Sequence, residues 1–262
     1  MVPSRSQSGF SLVELSIVLV ILGLLTGGIL GGQALIRAAE LRSVSTEAQR
    51  YAAAVQTFRD KYLALPGDMT NATAFWGTMS SGVCPHATGG TGTQTCNGNG
   101  NGEINAGGIA GQSNEMYTFW QHLANAALIT GTYSGIAGDA GAGDSEIGQN
   151  APSSRVSNAG WHMQHFIDGN PLTNYDLPTS YANTFFFGAD YPDFETGNKI
   201  LAPEEAWNID VKMDDGRPAY GEVIARFWNN ECTDAAINTD FESDYRLQDK
   251  SAQCALFFKD LF

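Results

Sequence analysis

The chain has 262 residues, of which 28 are acidic and 14 are basic, so its formal net charge is −14. This balance argues against nucleic-acid binding, which depends on Lys and Arg side chains, and fits a basic partner surface, divalent cations or simply solubility. With 30 glycines and only 16% charged residues, the composition is typical of an extracytoplasmic domain rich in turns.

The first informative segment is an apolar run from Phe10 to Gly32, in which Glu14 is the one charged residue. As a helix, this run would extend about 35 Å, which is enough to cross the hydrocarbon core of a bilayer. A carboxylate in lipid is costly, so Glu14 is expected to have a partner. A secretory signal would have a shorter apolar stretch of about 7–15 residues, and a plain membrane anchor would give no reason for Glu14.

The polar leader 1–9, the Gly9-Phe10 junction and Glu14 together resemble the type IV prepilin signature. In that family a membrane peptidase cleaves after the glycine, and the new N-terminal residue is methylated. The resemblance implies cleavage between Gly9 and Phe10, methylation of Phe10, and pairing of Glu14 with the Phe10 amine of a neighbouring subunit. The implied partners are other pilin subunits, the prepilin peptidase, the inner-membrane assembly machinery and the membrane.

By the same resemblance, the chain is expected to be a pilin-like structural subunit that polymerises through its N-terminal helix into an extracellular or periplasmic filament. It would lie in the inner membrane before assembly and in a pilus or at the cell surface afterwards. A pseudopilin of a type II secretion system and a DNA-uptake pilin have the same N-terminal features and are alternatives. A membrane-tethered adhesin or binding module is an alternative of a different class.

Beyond Gly32, apolar residues recur mostly at three- and four-residue steps as far as Tyr62, with charged residues largely between them. This pattern predicts that one helix continues from the membrane span at 10–32 into an amphipathic second half. Pro66-Gly67 is expected to end the helix at a tight turn. The predicted segments are a leader at 1–9, a helix at 10–65 and a globular domain at 66–262.

The globular domain is predicted to be α+β and loop-rich, with the N-terminal helix packed on a small antiparallel sheet. Helices are predicted to begin at Asp68, acting as an N-cap, at Ser113 and at Ala202. Strands are predicted at 184–188, 220–228 and 254–258, and loops at 78–112 and 131–160.

The four cysteines form two local pairs along the sequence, Cys84 with Cys96 and Cys232 with Cys254. Spacing alone does not choose among the three possible connectivities. Local pairing is the economical one, because each bond closes a loop without crossing the domain, and an exported domain favours structural disulfides. The distal pair also resembles the disulfide-bounded loop near the C-terminus of many pilins.

The loop from Asn97 to Ile104 places side-chain oxygens at alternate positions and a glycine at the sixth, as a calcium loop does. The twelfth position is Gly108, where such a loop has a bidentate glutamate, so calcium would need Glu103 or Asp68. The simpler interpretation is a series of Asn-Gly turns, which needs no ion. Apart from calcium at this loop, no cofactor or metal is expected.

Two other groups of polar residues are weaker candidates for a site. The acidic residues of 209–216, among them Asp214 and Asp215, are interpreted as lying on the solvated face of a helix. His162 and His165 would share a helix face as metal ligands, but the sequence offers no obvious third ligand, which favours ordinary histidines. Enzyme signatures such as a Gly-x-Ser-x-Gly elbow, a phosphate-binding loop or His-Glu-x-x-His are absent, so no catalytic role is expected.

Overall fold

A computed structural model describes residues 11–84, 86–89, 92–105, 107, 109–166, 181–191, 194–226, 228–237 and 239–262. The chain divides into two compact units, of which the first ends at Glu40 and the second is Leu41–Phe262. Helix α1, Leu12–Tyr62, contributes residues to both units. The fold is the predicted α+β class, with a long N-terminal helix followed by a globular domain that contains a small antiparallel sheet.

In the first unit, α1 is apolar on all its sides. Every large apolar side chain from Leu12 to Ile36 is between 51% and 84% exposed. By length and composition, this part of the helix is able to cross a membrane. The first unit therefore leaves a continuous apolar surface that its own residues do not cover.

In the second unit, α1 is amphipathic, as predicted. It buries residues at three- and four-residue steps, because these positions share one face of a helix: Val44, Ala48, Tyr51, Val55 and Phe58. The helix ends at Tyr62, slightly before the predicted turn at Pro66, because Leu63 enters the left-handed region with φ of 54°. This part of the helix belongs to the core of the globular domain.

Among the described residues of the second unit, three short α-helices follow. Helix α2 is Thr73–Trp76, and Ala72 precedes it, so the predicted N-cap role of Asp68 is wrong. Helix α3 is Glu115–Asn125, and its N-cap is Asn114, one residue after the predicted start at Ser113. The Asn114 Oδ1 accepts a hydrogen bond from the backbone N–H of Met116 at 3.1 Å. Helix α4 is Pro203–Met213.

The sheet contains four strands within the described residues, in the order β1-β2-β4-β3, and each neighbouring pair is antiparallel. Strand β2 confirms the predicted strand at 184–188, whereas β3 is shorter than predicted and a π-helical turn, Trp228–Cys232, follows it. Strand β1 corrects the predicted loop, since its first two residues were assigned to 131–160. The strands are β1 Ala159–Phe166, β2 Ala182–Ala189, β3 Val223–Arg226 and β4 Ala255–Phe258.

Aromatic side chains join α1, α3 and the sheet into one core in the second unit. The Tyr51 ring lies 5.1 Å from the Trp120 ring of α3 and 5.6 Å from the Trp161 ring of β1. The Trp161 ring in turn lies 5.0 Å from that of Phe187 in β2. The two Tyr51 contacts are edge-to-face, and such contacts are favourable beyond the apolar area that they bury.

Candidate functional site

The carboxylate predicted to guide assembly, Glu14, lies in the first turn of α1 and is exposed. Its Oε2 accepts a hydrogen bond from the backbone N–H of Ser11 at 2.8 Å. Gly9 and Phe10, the predicted cleavage and methylation positions, lie outside the described residues. The pairing of Glu14 with a neighbouring Phe10 amine therefore remains a prediction.

A second carboxylate of α1, Glu47, has the opposite environment. It is only 6% exposed, and its Oε2 accepts a hydrogen bond from the Trp161 Nε1–H at 2.8 Å. Its Oε1 accepts another from the backbone N–H of Arg155 at 3.1 Å. Sequence reasoning missed this role, because Glu47 was taken as one of the charged residues between apolar positions. The structure makes it a polar link between α1 and the sheet.

The Asn-Gly loop uses its amide oxygens as hydrogen-bond acceptors for backbone N–H groups. The Asn97 Oδ1 accepts from Thr73 at 2.8 Å. The Asn99 Oδ1 accepts from Asn101 at 2.9 Å, and the Asn101 Oδ1 accepts from Glu103 at 2.9 Å. The bonds to Asn99 and Asn101 are those of Asx turns, in which a side chain stabilises its own local backbone, whereas the bond to Asn97 joins the loop to the start of α2.

Asp68 lies under this loop and is 5% exposed. Its Oδ1 accepts hydrogen bonds from the backbone N–H groups of Gly100 at 2.5 Å and Asn101 at 3.1 Å, and its Oδ2 accepts one from Gly102 at 2.8 Å. Successive N–H groups that point to one centre form an anion-binding nest. The nest here holds a carboxylate of the same chain, and a calcium ion at this loop stays a prediction.

Acidic residues at the end of α4 and directly after it form a compact cluster, since ligand atoms of Asp210, Asp214 and Asp215 lie within 4.8 Å of one another. Asp210 is fully buried, which corrects the predicted solvated face. Its Oδ2 accepts from the Tyr245 hydroxyl at 2.8 Å, and its Oδ1 accepts from the Gly216 N–H at 3.0 Å. Burial raises the pKa of the Asp210 carboxyl to about 7, because it penalises the charged form.

His162 and His165, for which ordinary roles were favoured over metal binding, do not share a helix face, because both residues lie in strand β1. Residues three apart in a strand point to opposite faces of the sheet. His162 is fully buried, its Nδ1 lies 2.9 Å from the Ser145 Oγ, and burial lowers its pKa to about 4. The His165 Nδ1 lies 3.2 Å from the Asn183 Oδ1. The two rings have different partners.

The Ser145–His162 contact has the distance of a nucleophile and its general base, a pair that sequence reasoning did not find. Ser145 is 1% exposed and His162 is fully buried, so the pair is closed to a substrate. The nearby carboxylate of Glu195 lies 2.6 Å from the guanidinium of Arg226. These groups are therefore interpreted as a buried polar network of the fold.

A further buried histidine fixes the turn after α1. His122 of α3 accepts a hydrogen bond at Nδ1 from the Gly67 N–H at 2.9 Å, so the ring proton is on Nε2, which lies 2.9 Å from the Thr95 Oγ1. Burial lowers the pKa of His122 to about 3. Gly67 has φ of 83°, and a Cβ there would lie 2.5 Å from the backbone oxygen of Glu115, so this position requires glycine.

The structure pairs the cysteines as predicted, Cys84 with Cys96 and Cys232 with Cys254. The Cα–Cα distances are 5.3 Å and 4.8 Å, which are normal for disulfides. The proximal bond lines a cavity of about 430 Å³ together with Glu115. The Glu115 oxygens accept hydrogen bonds from the backbone N–H groups of Asn99 and Asn105, so this carboxylate stabilises the loop.

Comparison with known protein families identifies the N-terminal region of the chain. Residues 4–30 match the family described as the prokaryotic N-terminal methylation motif, so the N-terminal region carries the type IV prepilin signature. The matched residues include the Gly9-Phe10 junction and Glu14. Neither a curated protein nor a solved structure matches the chain.

Proposed function

We propose that this chain is a type IV pilin-like structural subunit, which is made as a prepilin and polymerises through helix α1. The observation that carries the proposal is the prepilin signature at residues 4–30, which extends into the part of α1 that has an uncovered apolar surface. The proposal includes cleavage between Gly9 and Phe10 by a prepilin peptidase, followed by methylation of Phe10.

The apolar half of α1 explains how such a subunit moves from a membrane into a polymer. A helix that is apolar on all sides is stable when lipid or other apolar helices surround it. Transfer from lipid into a bundle of copies of α1 exchanges one apolar environment for another, so the hydrophobic term changes little. The charge of Glu14 then favours arrangements in which it is paired, because an unpaired carboxylate is costly in both environments.

In the proposed polymer, copies of α1 form the centre and the second units form the outer surface. The precursor would lie in the inner membrane, and the assembled subunit would lie in a pilus or at the cell surface. The acidic composition of the chain suits a solvated outer surface. The two disulfides suit an oxidising location outside the cytoplasm.

The test is intact-mass analysis of the protein from cells that contain the assembly machinery. We expect a mature chain that begins with methylated Phe10. Gly9→Lys should leave uncut precursor in the membrane, whereas Ser8→Ala is the matched control and should be processed. Assembled protein that retains Met1, or that begins near Glu40, would contradict the proposal. Electron microscopy of surface filaments then separates a pilus subunit from a subunit of a secretion pseudopilus.

A further inference from the structure

Three Asn-Gly pairs follow one another in the loop above Asp68, at 97–98, 99–100 and 101–102. In this dipeptide the backbone nitrogen of glycine attacks the side-chain carbonyl carbon of asparagine. A C–N bond forms, ammonia leaves with the proton of the glycine nitrogen, and the product is a cyclic succinimide. Water then opens the ring to aspartate or isoaspartate. Glycine favours the reaction because it has no side chain to hinder the approach.

The second and third pairs are accessible to this chemistry, since Asn99, Gly100, Asn101 and Gly102 are all exposed. Their nucleophilic nitrogens are nevertheless engaged. The Gly100 N–H donates to the Asp68 Oδ1 at 2.5 Å, and the Gly102 N–H donates to the Asp68 Oδ2 at 2.8 Å. One buried carboxylate therefore holds the attacking atoms of two Asn-Gly pairs.

The electrophilic side chains of the same pairs are held as well. The side-chain oxygens of Asn99 and Asn101 each accept a hydrogen bond from a backbone N–H two residues later. The loop also approaches Asp68 closely, because a Cβ at Gly98 would lie 2.4 Å from the Asp68 Cα. Attack would require these hydrogen bonds to break together.

The carboxylate opposes the reaction in a second way. The attacking species is the deprotonated glycine nitrogen, and a negative charge beside it disfavours loss of the amide proton. We propose that Asn99 and Asn101 are latent modification sites, and that Asp68 keeps them from forming succinimides while the loop is folded. Conversion would add a carboxylate above Asp68, and isoaspartate would also lengthen the backbone, so the nest would not re-form.

The first pair, Asn97-Gly98, supplies an internal reference. The Gly98 N–H donates to the backbone oxygen of Met69 at 2.9 Å, so its protection does not use the Asp68 side chain. The Asn97 Oδ1 is likewise held by the N–H of Thr73. Loss of the Asp68 carboxylate should therefore act on Asn99 and Asn101 and leave Asn97 unchanged.

The experiment incubates the full chain in detergent at mildly alkaline pH and follows deamidation of each asparagine by peptide mass mapping and isoaspartate labelling. Asp68→Ala should accelerate the reaction at Asn99 and Asn101 by about tenfold to a hundredfold, the factor for losing one charge-assisted hydrogen bond. Asp240→Ala, which removes an exposed acid away from this loop, is the control and should have no effect. Asp68→Asn keeps one acceptor oxygen and should accelerate one site more than the other.

Equal or slower deamidation at Asn99 and Asn101 in Asp68→Ala would overturn the proposal, since it would mean that the carboxylate is neutral or assists as a base. If the variant unfolds, Asn97 reacts faster too. The test is then a comparison of deamidation rates in the wild-type protein and in a peptide. The native loop of the wild type should react at least about tenfold more slowly than the same sequence in a synthetic peptide, because its amides are hydrogen-bonded. Equal rates in native protein and peptide would also overturn the proposal.

Discussion

The two parts of helix α1 have the same backbone geometry and opposite relations to apolar surface. From Leu12 to Ile36 every large apolar side chain is exposed, whereas Val44, Val55 and Phe58 are fully buried in the second unit. Each part also carries one notable carboxylate, exposed Glu14 and buried Glu47. One helix therefore has two kinds of surface: its second part stabilises the globular domain, and its first part is an apolar surface that its own unit does not cover.

The largest expected effect comes from truncating one apolar side chain in each part of α1. Phe58→Ala should lower the free energy of unfolding of the second unit by about 3–5 kcal/mol, because it leaves a cavity in the core. Leu19→Ala, at a position that is 62% exposed, should change it by less than about 0.5 kcal/mol. All five tryptophans lie in the second unit, so fluorescence during urea unfolding of the full chain in detergent measures this quantity. Equal losses would contradict the division of the helix.

The disulfides test the same difference, because both lie in the second unit and should affect its stability alone. Replacing Cys232 and Cys254 by Ser should lower the free energy of unfolding by about 3 kcal/mol, and replacing Cys84 and Cys96 by slightly less, because the distal loop is longer. Cys254 also precedes β4 directly, so its bond fixes a central strand. Urea unfolding gives the ranking, and insertion into membranes should be unchanged in both variants. A larger loss at the proximal pair would reverse our assignment of the more important bond.

The two carboxylates of α1 provide a crossed test. Glu47→Val should lower the free energy of unfolding by about 1–3 kcal/mol, since it leaves the Trp161 Nε1–H buried without its acceptor. Glu14→Val should leave that free energy unchanged and reduce the incorporation of subunits into filaments. Urea unfolding and quantification of sheared filaments measure the two effects. Efficient incorporation of Glu14→Val would mean that this carboxylate does not guide assembly.

A smaller effect concerns pH and acts on the second unit through Asp210. Its folded pKa of about 7 lies above that of an ordinary Asp, so its protonated form favours the folded state at low pH, and this contribution is lost as pH rises through 7. Asp210→Asn should therefore gain stability relative to wild type by about 1.4 kcal/mol between roughly pH 6 and pH 8. Urea unfolding at both pH values measures the gain, and Asp60→Asn is the exposed control. A gain independent of pH would contradict the buried-acid explanation.

The sequence was sufficient for those features whose cause is local. The apolar run, the amphipathic continuation of α1 and the phenylalanines of β2 predicted their elements because hydrophobic periodicity and length decide them. The disulfide pairs were also predictable, since each joins cysteines in neighbouring parts of the chain. The prepilin signature is local in the same sense.

The remaining features depend on contacts between distant residues. Asp68 looked like a helix cap, but its partners begin 32 residues later, at Gly100. Strand β1 alternates Trp161 and Met163 with polar residues after a segment rich in Gly, Ala and Ser, and pairing with β2 decides its conformation. Asp210 fits the pattern of a solvated helix face in the sequence, but in the structure Tyr245 contacts it and the side chain is buried. Tertiary contacts override local preference at each of these positions.

The position of β4 has a consequence for the order of biosynthesis. Among the described strands, β4 comes last along the chain, yet it lies between β2 and β3 and pairs with both. While Ala255–Phe258 is still being synthesised, β2 and β3 lack the strand that joins them and expose unpaired backbone groups to proteases. Closing the sheet therefore waits for contacts of high sequence separation, which form slowly. A chain that stops before Ala255 therefore lacks a strand at the centre of its sheet.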